Sequence, residues 1–443
     1  MTKKKIYSLD KNYSADIFFK RPDKYKEIEI ESSKFDNIIT MGSCNSYTPA
    51  SFKKNALSIQ LTKFNRIIEF DKNQKLITVE AGIMLSDLFN FTLARGLWVP
   101  QIPGYPTITI GGAIASNSHG KSCGFHGTIK KQIKRIKIFH KLHGWLNLSI
   151  EENRDIFDLT IGGLGLTGSI VEVQLRLEEL SGNNFVTKII ETTSSNDAVK
   201  KINFDVKKET YCYSWNRSDS FKNFGKGFVF QNELNVSSNN KLTKNIKLNN
   251  SDINKNFIIN FWNKYSVFFA QSVYQNYFKF FKSKQYEESF QKAIFPFIGK
   301  EFYFKLFGKK GFLESQIIVP FDKTDIFIDE VETIFKKHDP LITLYSLKNF
   351  KGEQKNLRFE NDGICFTFDF VKNSKNLFFM NELDKICEKY HLTPSIIKDS
   401  RLKLETIEKC YKDFNRFKEE INKFDNKRIY KSTLTDKLMI WAI

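Results

Sequence analysis

Three runs of small residues in this chain are placed where backbone could lie directly against a ligand. In the first, the apolar stretch Ile38-Ile39-Thr40-Met41 runs into Gly42-Ser43-Cys44-Asn45-Ser46-Tyr47. Small side chains there let successive N–H groups converge on an anion, and the hydroxyls add donors. Most loops of this composition are only turns, so the run gains meaning from its company. The second is Pro103-Gly104-Tyr105-Pro106-Thr107-Ile108-Thr109-Ile110-Gly111-Gly112-Ala113-Ile114-Ala115-Ser116-Asn117-Ser118-His119-Gly120. Backbone packed so tightly suits a flat ring or a pyrophosphate lying on the main chain. The third, Ile161-Gly162-Gly163-Leu164-Gly165-Leu166-Thr167-Gly168-Ser169-Ile170-Val171, is spelled like a dinucleotide fingerprint. It precedes an alternating strand instead of following one into a helix, so it is not a Rossmann loop. With no Walker lysine beside them, the runs point to a dinucleotide fold of another kind.

Other reactive side chains are dispersed. The six cysteines (Cys44, Cys123, Cys212, Cys365, Cys387, Cys410) stand singly with no CxxC pair, so neither a disulfide framework nor a zinc cluster is indicated. His119, His126, His140 and His143 form the nearest group of histidines, without the carboxylates a hydrolytic metal site adds. No metal is expected. His119, set among tiny residues, fits a structural contact with a bound ring as well as it fits proton transfer.

The elements that must position these runs can be read from periodicity. Leu57, Ile59 and Leu61 alternate with polar residues as a half-buried strand does, and Leu76 to Glu80 repeats the pattern before Gly82. A helix follows, with Ser86 as its expected N-cap, Leu85, Leu88, Phe89 and Leu93 on one face, and Gly96 at its end. Strands, polar glycine loops and a helix in this order predict an α+β domain. Beyond about residue 180 the texture changes, and 443 residues make two domains the natural expectation. Residues 257–312 are rich in lysine and aromatics, including Phe257, Phe261, Trp262, Tyr265, Phe268, Phe269, Tyr274, Tyr277, Phe278, Phe280 and Phe281. Helical spacing among them reads as ordinary core; the other reading is a greasy, basic surface or flap. Strand-like runs follow from Phe312 to Pro320 and from Ile364 to Phe370.

Composition excludes more than it selects. At 41% apolar residues, no stretch approaches the roughly eighteen needed for a membrane span. Met1 to Lys5 carries charge, but no apolar segment follows it, so a cytoplasmic location is expected. The formal net charge of +19 favours anionic partners such as phosphates or membrane surfaces. Lysines are spread along the chain, which argues against a nucleic-acid arm, and no nucleic-acid partner is expected.

The order G-S-x-N-S-Y, then P-G-x-x-x-T-I-G-G-A-I-A-x-x-x-H-G, then G-G-x-G-L-T-G resembles the PCMH-type FAD-binding domain of the vanillyl-alcohol-oxidase superfamily. Within it the chain is most similar to the decaprenylphosphoryl-β-D-ribose 2′-oxidase family, through Leu97-Trp98-Val99-Pro100, Gly311-Phe312-Leu313, Val319-Pro320, Ile364-Cys365 and Lys398-Asp399-Ser400-Arg401. The likeness runs from about Phe35 to Leu438. It implies an FAD-binding domain over 1–180, completed by 418–443, and a substrate domain over 181–417 built on an antiparallel sheet with flanking helices. It implies that Gly42, Ser43, Cys44, Asn45 and Ser46 hold the pyrophosphate. Thr109, Ile110, Gly111, Gly112 and Ala113, with Asn117, His119 and Gly120, would wrap the flavin, and Gly163, Gly168 and Val171 would lie near the adenine. Some superfamily members link flavin to a histidine in the first loop; Asn45 stands there, so FAD is expected to be non-covalent. Tyr47 would face the substrate. Lys423, in Lys423-Phe424-Asp425, matches a K-V-D lysine that reaches flavin and substrate, although unaided it reads as a solvated surface lysine. Cys365, Gln316, Lys348 and Trp215 match substrate-pocket positions, with buried structural cysteine an equally good reading of Cys365.

Departures from that pattern are Ile294 where a pocket tyrosine is expected, Gly363 for an asparagine, and Asn426 for a proline. The implied reaction is oxidation of the 2′-hydroxyl of a polyprenylphosphoryl pentose to a keto-sugar, the first half of an epimerisation supplying cell-envelope arabinose. Lys423, Tyr47, or His119 through a water are the candidate bases. A reductase acting next would complete the inversion, and a peripheral contact at the inner membrane face would suit the lipid. The rivals are a soluble aldonolactone or alditol oxidase and a flavin-free basic lipid- or nucleic-acid-binding protein.

Overall fold

The alternation at Leu57 becomes the strand Leu57–Gln60, which runs parallel to Ile38–Met41 on one side and to Ser14–Lys20 on the other. Thr2–Tyr7 pairs antiparallel with Ser14–Lys20 and completes a four-stranded sheet. The computed structural model describes residues 2–101, 104–121, 123–182, 184–203, 210–235, 259–281 and 283–441. Pro103 of the second glycine run and Phe257 of the aromatic stretch lie outside these residues.

A five-stranded antiparallel sheet follows, in the spatial order Ile67–Asp71, Leu76–Glu80, Ser169–Arg176, Ile133–His140, Gly144–Leu148. Leu85–Leu93 is the expected helix, and it packs Leu85, Leu88, Phe89 and Leu93 inward. Its N-cap is Met84, not Ser86. Met84 has the extended backbone a cap requires, whereas Ser86 is inside the first turn and buried. At the other end Gly96 adopts φ +74°, and its carbonyl accepts from Leu180 N–H.

The second half of the chain builds an eight-stranded sheet. Its last four members are Ile342–Phe350, Gly363–Val371, Phe312–Val319 and Thr393–Pro394. The two strand-like runs fall on Phe312–Val319 and Gly363–Val371, which pair antiparallel along their whole length. Every residue of Phe312–Val319 is buried, so this strand is covered on both faces. Helices Thr324–His338 and Ser374–Tyr390 pack Phe327, Val331, Phe335, Phe379 and Leu383 into the largest apolar cluster, with Phe366, Phe368 and Phe370 of the sheet. The architecture is α+β in two parts.

The C-terminal segment returns to the first sheet. Ile38 N–H donates to the Ile429 carbonyl at 2.9 Å, Lys431 N–H donates to the Ile38 carbonyl at 2.9 Å, and Ile38 bridges Tyr430 in parallel. Tyr430 and Ile429 pack with Ile38, Leu57 and Ile59.

Candidate active site

The chain from Gly42 to Tyr47 forms one wall of a cleft with about 1130 Å³ of empty volume. Thr109, Gly111, Gly112, Ala115, Ser116 and Ser118 form a second wall, and Leu164, Gly165, Gly168 and Ile170 a third. All three glycine runs therefore meet at one place. A Cβ on Gly42 would stand 2.2 Å from Thr109 Oγ1, which is why the first two runs can approach so closely. At Gly168, φ is +119° and a Cβ would stand 2.5 Å from the Phe139 carbonyl oxygen. Asn45 Nδ2 donates to Thr107 Oγ1 at 2.9 Å and ties the first run to the second.

These residues fit FAD. Cys44 takes φ +62°, and among the described residues the N–H groups of Ser43, Cys44 and Asn45 donate to no protein acceptor while lining the cleft. Successive unpaired N–H groups in a turn make an anion-binding concavity of the kind a pyrophosphate fills. Leu61, Ala81, Ile108, Leu164 and Ile170 give the cleft apolar walls suited to flat rings. Asn45 offers no nucleophilic ring nitrogen for a flavin bond at this loop.

Beyond Tyr47 the larger sheet presents a polar face. Antiparallel register sets Glu314 opposite Asp369, Gln316 opposite Thr367, and Ile318 opposite Cys365, and Lys348 stands opposite Cys365 from the other side. Gln316 Nε2 donates to Glu314 Oε1 at 2.6 Å, and Tyr303 Oη donates to Asp369 Oδ2 at 2.9 Å. Burial, then the neighbouring Glu314 charge, pushes the Asp369 carboxyl well above the usual range. Lys398 closes the gap between this face and the cleft. Its Nζ lies 3.5 Å from the centroid of the Tyr47 ring and 3.5 Å from Glu314 Oε1. Burial lowers the Lys398 ammonium below the ordinary lysine value, Glu314 opposes that shift, and Lys348 adds to it.

Tyr47 is pushed well above the usual phenol range by burial and then by the Glu314 charge, so it acts as a donor. Its ring packs edge-on against Phe312 at 5.5 Å. His119 sits against Phe350 at 4.8 Å and Phe359 at 5.4 Å. Burial and the cations Lys348 and Lys398 hold its imidazole well below its ordinary value, so it is neutral and a weak base. Lys348 is 8% exposed, and no carboxylate of the described residues comes within ion-pair distance of it. Cys365 is fully buried with its thiol pushed up by burial, and Sγ lies 3.8 Å from Thr367 Oγ1.

The structure brings together Tyr47, His119, Gln316, Lys348 and Cys365 on this face. Trp215 is on the same face but farther along, under Tyr274 at 4.4 Å and clustered with Leu344. Ile110, Ala113 and Gly163 are buried behind the cleft wall, not on it. Asn117 is fully buried with Nδ2 donating to Glu360, and Gly120 is buried beyond His119. Val171 faces the core of the first sheet; by strand alternation it is Ile170 that turns to the cleft. Lys423 is exposed in the last turn of helix Phe414–Phe424 and lines no part of the cleft. Its neighbour Asp425 explains the segment: the carboxylate accepts Ile429 and Tyr430 N–H at 2.7 and 2.9 Å and holds the turn into the C-terminal pairing.

The lysine at the cleft is Lys398, within the Lys398–Arg401 segment matched by the resemblance but given no role there. Glu314, Asp369 and Tyr303 were also not foreseen. A signal for the two carboxyls existed: Glu-x-Gln in Phe312–Val319 and Cys-x-Thr-x-Asp in Gly363–Val371 interrupt apolar strands at every second position. Ile294, where a tyrosine was expected, lies in the apolar core with Trp98 and Phe290.

A family model for an FAD-binding domain matches residues 32–144. The chain is 25% identical over 397 residues to a decaprenylphosphoryl-β-D-ribose oxidase of Mycolicibacterium smegmatis, covering 84% of this chain and 83% of that protein. It is 32% identical over 118 residues to the L-gulonolactone oxidase of Mus musculus, covering 27% of each. An L-galactono-1,4-lactone dehydrogenase of Arabidopsis thaliana is 28% identical over 152 residues, 34% of this chain and 25% of that protein.

Proposed function

We propose that this chain, an FAD-dependent oxidoreductase of the PCMH-type family acting on CH–OH groups, oxidises the 2′-hydroxyl of a polyprenylphosphoryl pentose to a keto-sugar. The observation that carries the reading is a pair of lysines, Lys398 lining the cleft and Lys348 on the polar sheet face beyond Tyr47. Lys348 is buried without a carboxylate partner, and Lys398 faces Tyr47. An unpaired buried ammonium is costly, and a phosphate of the substrate would satisfy it. Free polyols and lactones carry no such charge. The likeness to the ribose oxidase, extending over most of both chains, supports the same class, whereas the lactone enzymes named above match over 27% and 34% of this chain.

Bound FAD supplies a two-electron acceptor for the hydride that leaves the carbinol carbon. Tyr47, held protonated, donates to the sugar and fixes its orientation. Lys398 stabilises negative charge as it develops on the oxygen that loses its proton. Glu314, the carboxylate beside Lys398, is assigned that proton. The products balance as a carbonyl, a hydride transferred and a proton retained by the protein. His119 keeps its imidazole neutral against Phe350 and Phe359 and adds a hydrogen bond without charge. A reductase that returns hydride to the opposite face of the keto-sugar would complete an epimerisation.

The deciding measurement is anaerobic mixing of the holoprotein with a short-chain prenylphosphoryl ribose. Loss of the oxidised flavin absorbance is expected. Bleaching by a free aldonolactone, with none by the prenylphosphoryl sugar, overturns the reading.

A further inference from the structure

Helix Lys264–Asn276 buries a mixed face, with Gln271, Ser272 and Gln275 bonded to Ser218 and Arg217, and exposes an apolar one. Inward, Val267 and Gln271 are buried and Tyr274 packs tilted on Trp215 at 4.4 Å. Outward, Tyr265 is 86% exposed, Phe269 66% and Phe280 68%, with Phe268, Val273 and Tyr277 exposed between them. The spacing of Tyr265, Phe269, Val273 and Tyr277 is four residues each, which makes one stripe along the helix. A surface helix ordinarily places charged residues there, and this one carries only Lys264. Exposed Ile259 and Phe261 continue the patch, their N–H groups bonded to the carbonyls of Lys305 and Leu306.

The charge around the stripe selects its partner. From 259 to 310 the sequence holds nine lysines and no arginine against three glutamates and no aspartate. Lys279, Lys284, Lys309 and Lys310 are exposed. Aromatic side chains in one stripe with lysines at its rim are the arrangement of a helix lying in the boundary of an anionic bilayer.

The stripe is also connected to the site. Trp262 packs on Tyr303 at 5.7 Å, Tyr303 on Phe307 at 5.2 Å, Phe307 on Phe312 at 5.2 Å, and Phe312 on Tyr47 at 5.5 Å. An unbroken aromatic wall thus leads from the exposed patch to the ring that faces Lys398. We propose that the outer face of helix Lys264–Asn276 docks the protein on an anionic lipid surface, with the aromatic wall guiding a prenyl chain from that surface toward Tyr47. The docking stands on the stripe itself; its use for substrate delivery rests on the function proposed above.

The test is sedimentation of the full-length holoprotein with phosphatidylcholine vesicles, with and without phosphatidylglycerol. Binding to the anionic vesicles is expected, weakened by salt. Phe268→Ser with Phe269→Ser should reduce binding about tenfold or more, and Lys309→Glu with Lys310→Glu should reduce it also. Flavin absorbance and the unfolding midpoint report that each variant is folded. No binding to anionic vesicles, or binding indifferent to the phenylalanine changes, overturns the proposal. So does a dimer in solution that those changes convert to monomer, since a second copy would then cover the stripe. Flavin reduction by a soluble short-chain prenylphosphoryl ribose needs no membrane, so the two proposals fail separately.

Discussion

Glu314 and Asp369 stand directly opposite each other on adjacent antiparallel strands, both at least 95% buried, with Asp369 Oδ1 lacking any hydrogen-bond partner among the described residues. Two carboxyls so placed cannot both ionise cheaply. Because the folded-state value of Asp369 is raised above its unfolded one, its contribution to stability is complete below the ordinary aspartate range and declines as pH rises toward the folded value. Asp369→Asn keeps the acceptor for Tyr303 and removes the ionisation. The variant should be more stable than the parent at pH 8, by about 1–3 kcal/mol, with the gain vanishing near pH 4. Unfolding midpoints of both proteins across pH check this; a gain that does not depend on pH refutes the raised Asp369 carboxyl.

Lys398→Met should slow flavin reduction by about 10²–10³-fold while FAD stays bound, because a cation aimed at developing negative charge is lost. Lys423→Met should change the rate by less than about twofold, since its side chain is in solvent away from the cleft. Anaerobic stopped-flow reduction of the two variants in parallel separates them, and the opposite ranking would return the role to Lys423.

Gly42→Ala puts a methyl group 2.2 Å from Thr109 Oγ1 and must part the first two loops. The variant should purify with much less FAD than the parent, weakened about tenfold or more. The ratio of flavin to protein absorbance, before and after dialysis against FAD, measures it.

Arg358 is fully buried and reaches under the third loop, donating to the Ile161 carbonyl at 3.0 Å and to Asp158 Oδ1 at 2.5 Å. Arg358→Met should cost about 2–3 kcal/mol, discounted because Asp158 is one-quarter exposed and keeps Lys355 as a partner. Urea unfolding followed by circular dichroism gives the loss, and flavin fluorescence should report FAD release at lower urea. The Asp158 carboxyl is opposed by burial but held below its usual value by Arg358 and Lys355. That stabilisation is present above the ordinary aspartate range and fades as pH falls through it.

Burial and the cations Lys348 and Lys398 hold the His119 imidazole well below its ordinary value, so the rate of flavin reduction should show no inflection from it in the ordinary histidine range. A clear inflection there that disappears in His119→Asn would mean that Lys348 and Lys398 do not act on the ring as described.

The cofactor half of the molecule was legible because its chemistry is local. Gly42, Gly111, Gly112 and Gly168 mark backbone contact wherever the chain places them, and their loops converge on one cleft. The half built on the larger sheet was legible only in part. Lys398 and Lys423 are both lysines on polar segments, and nothing in sequence says which one a fold turns inward; the buried carboxylate of Asp425 pins the second segment to the first sheet instead. Val171 and Ile170 differ by one step of strand alternation, which sequence fixes only when the buried face is known. The aromatic stretch divides between both readings, with Val267 and Phe307 in the interior and Phe269 and Phe280 outside, because helix Lys264–Asn276 turns Gln271, Ser272 and Gln275 inward onto Ser218 and Arg217 and leaves its aromatics outside.

The pairing of Ile38 with Ile429, Tyr430 and Lys431 sets an order of events in the cell. A ribosome makes the three glycine loops early, yet the sheet that carries the first of them gains its closing partner only when Tyr430 has been made. Until Ile429 to Lys431 are made, the nascent chain carries an unpaired edge beside Ile38. A premature stop before Ile429 would leave Lys398, Glu314 and Tyr47 all encoded and the strand that leads into the first glycine loop without its last neighbour.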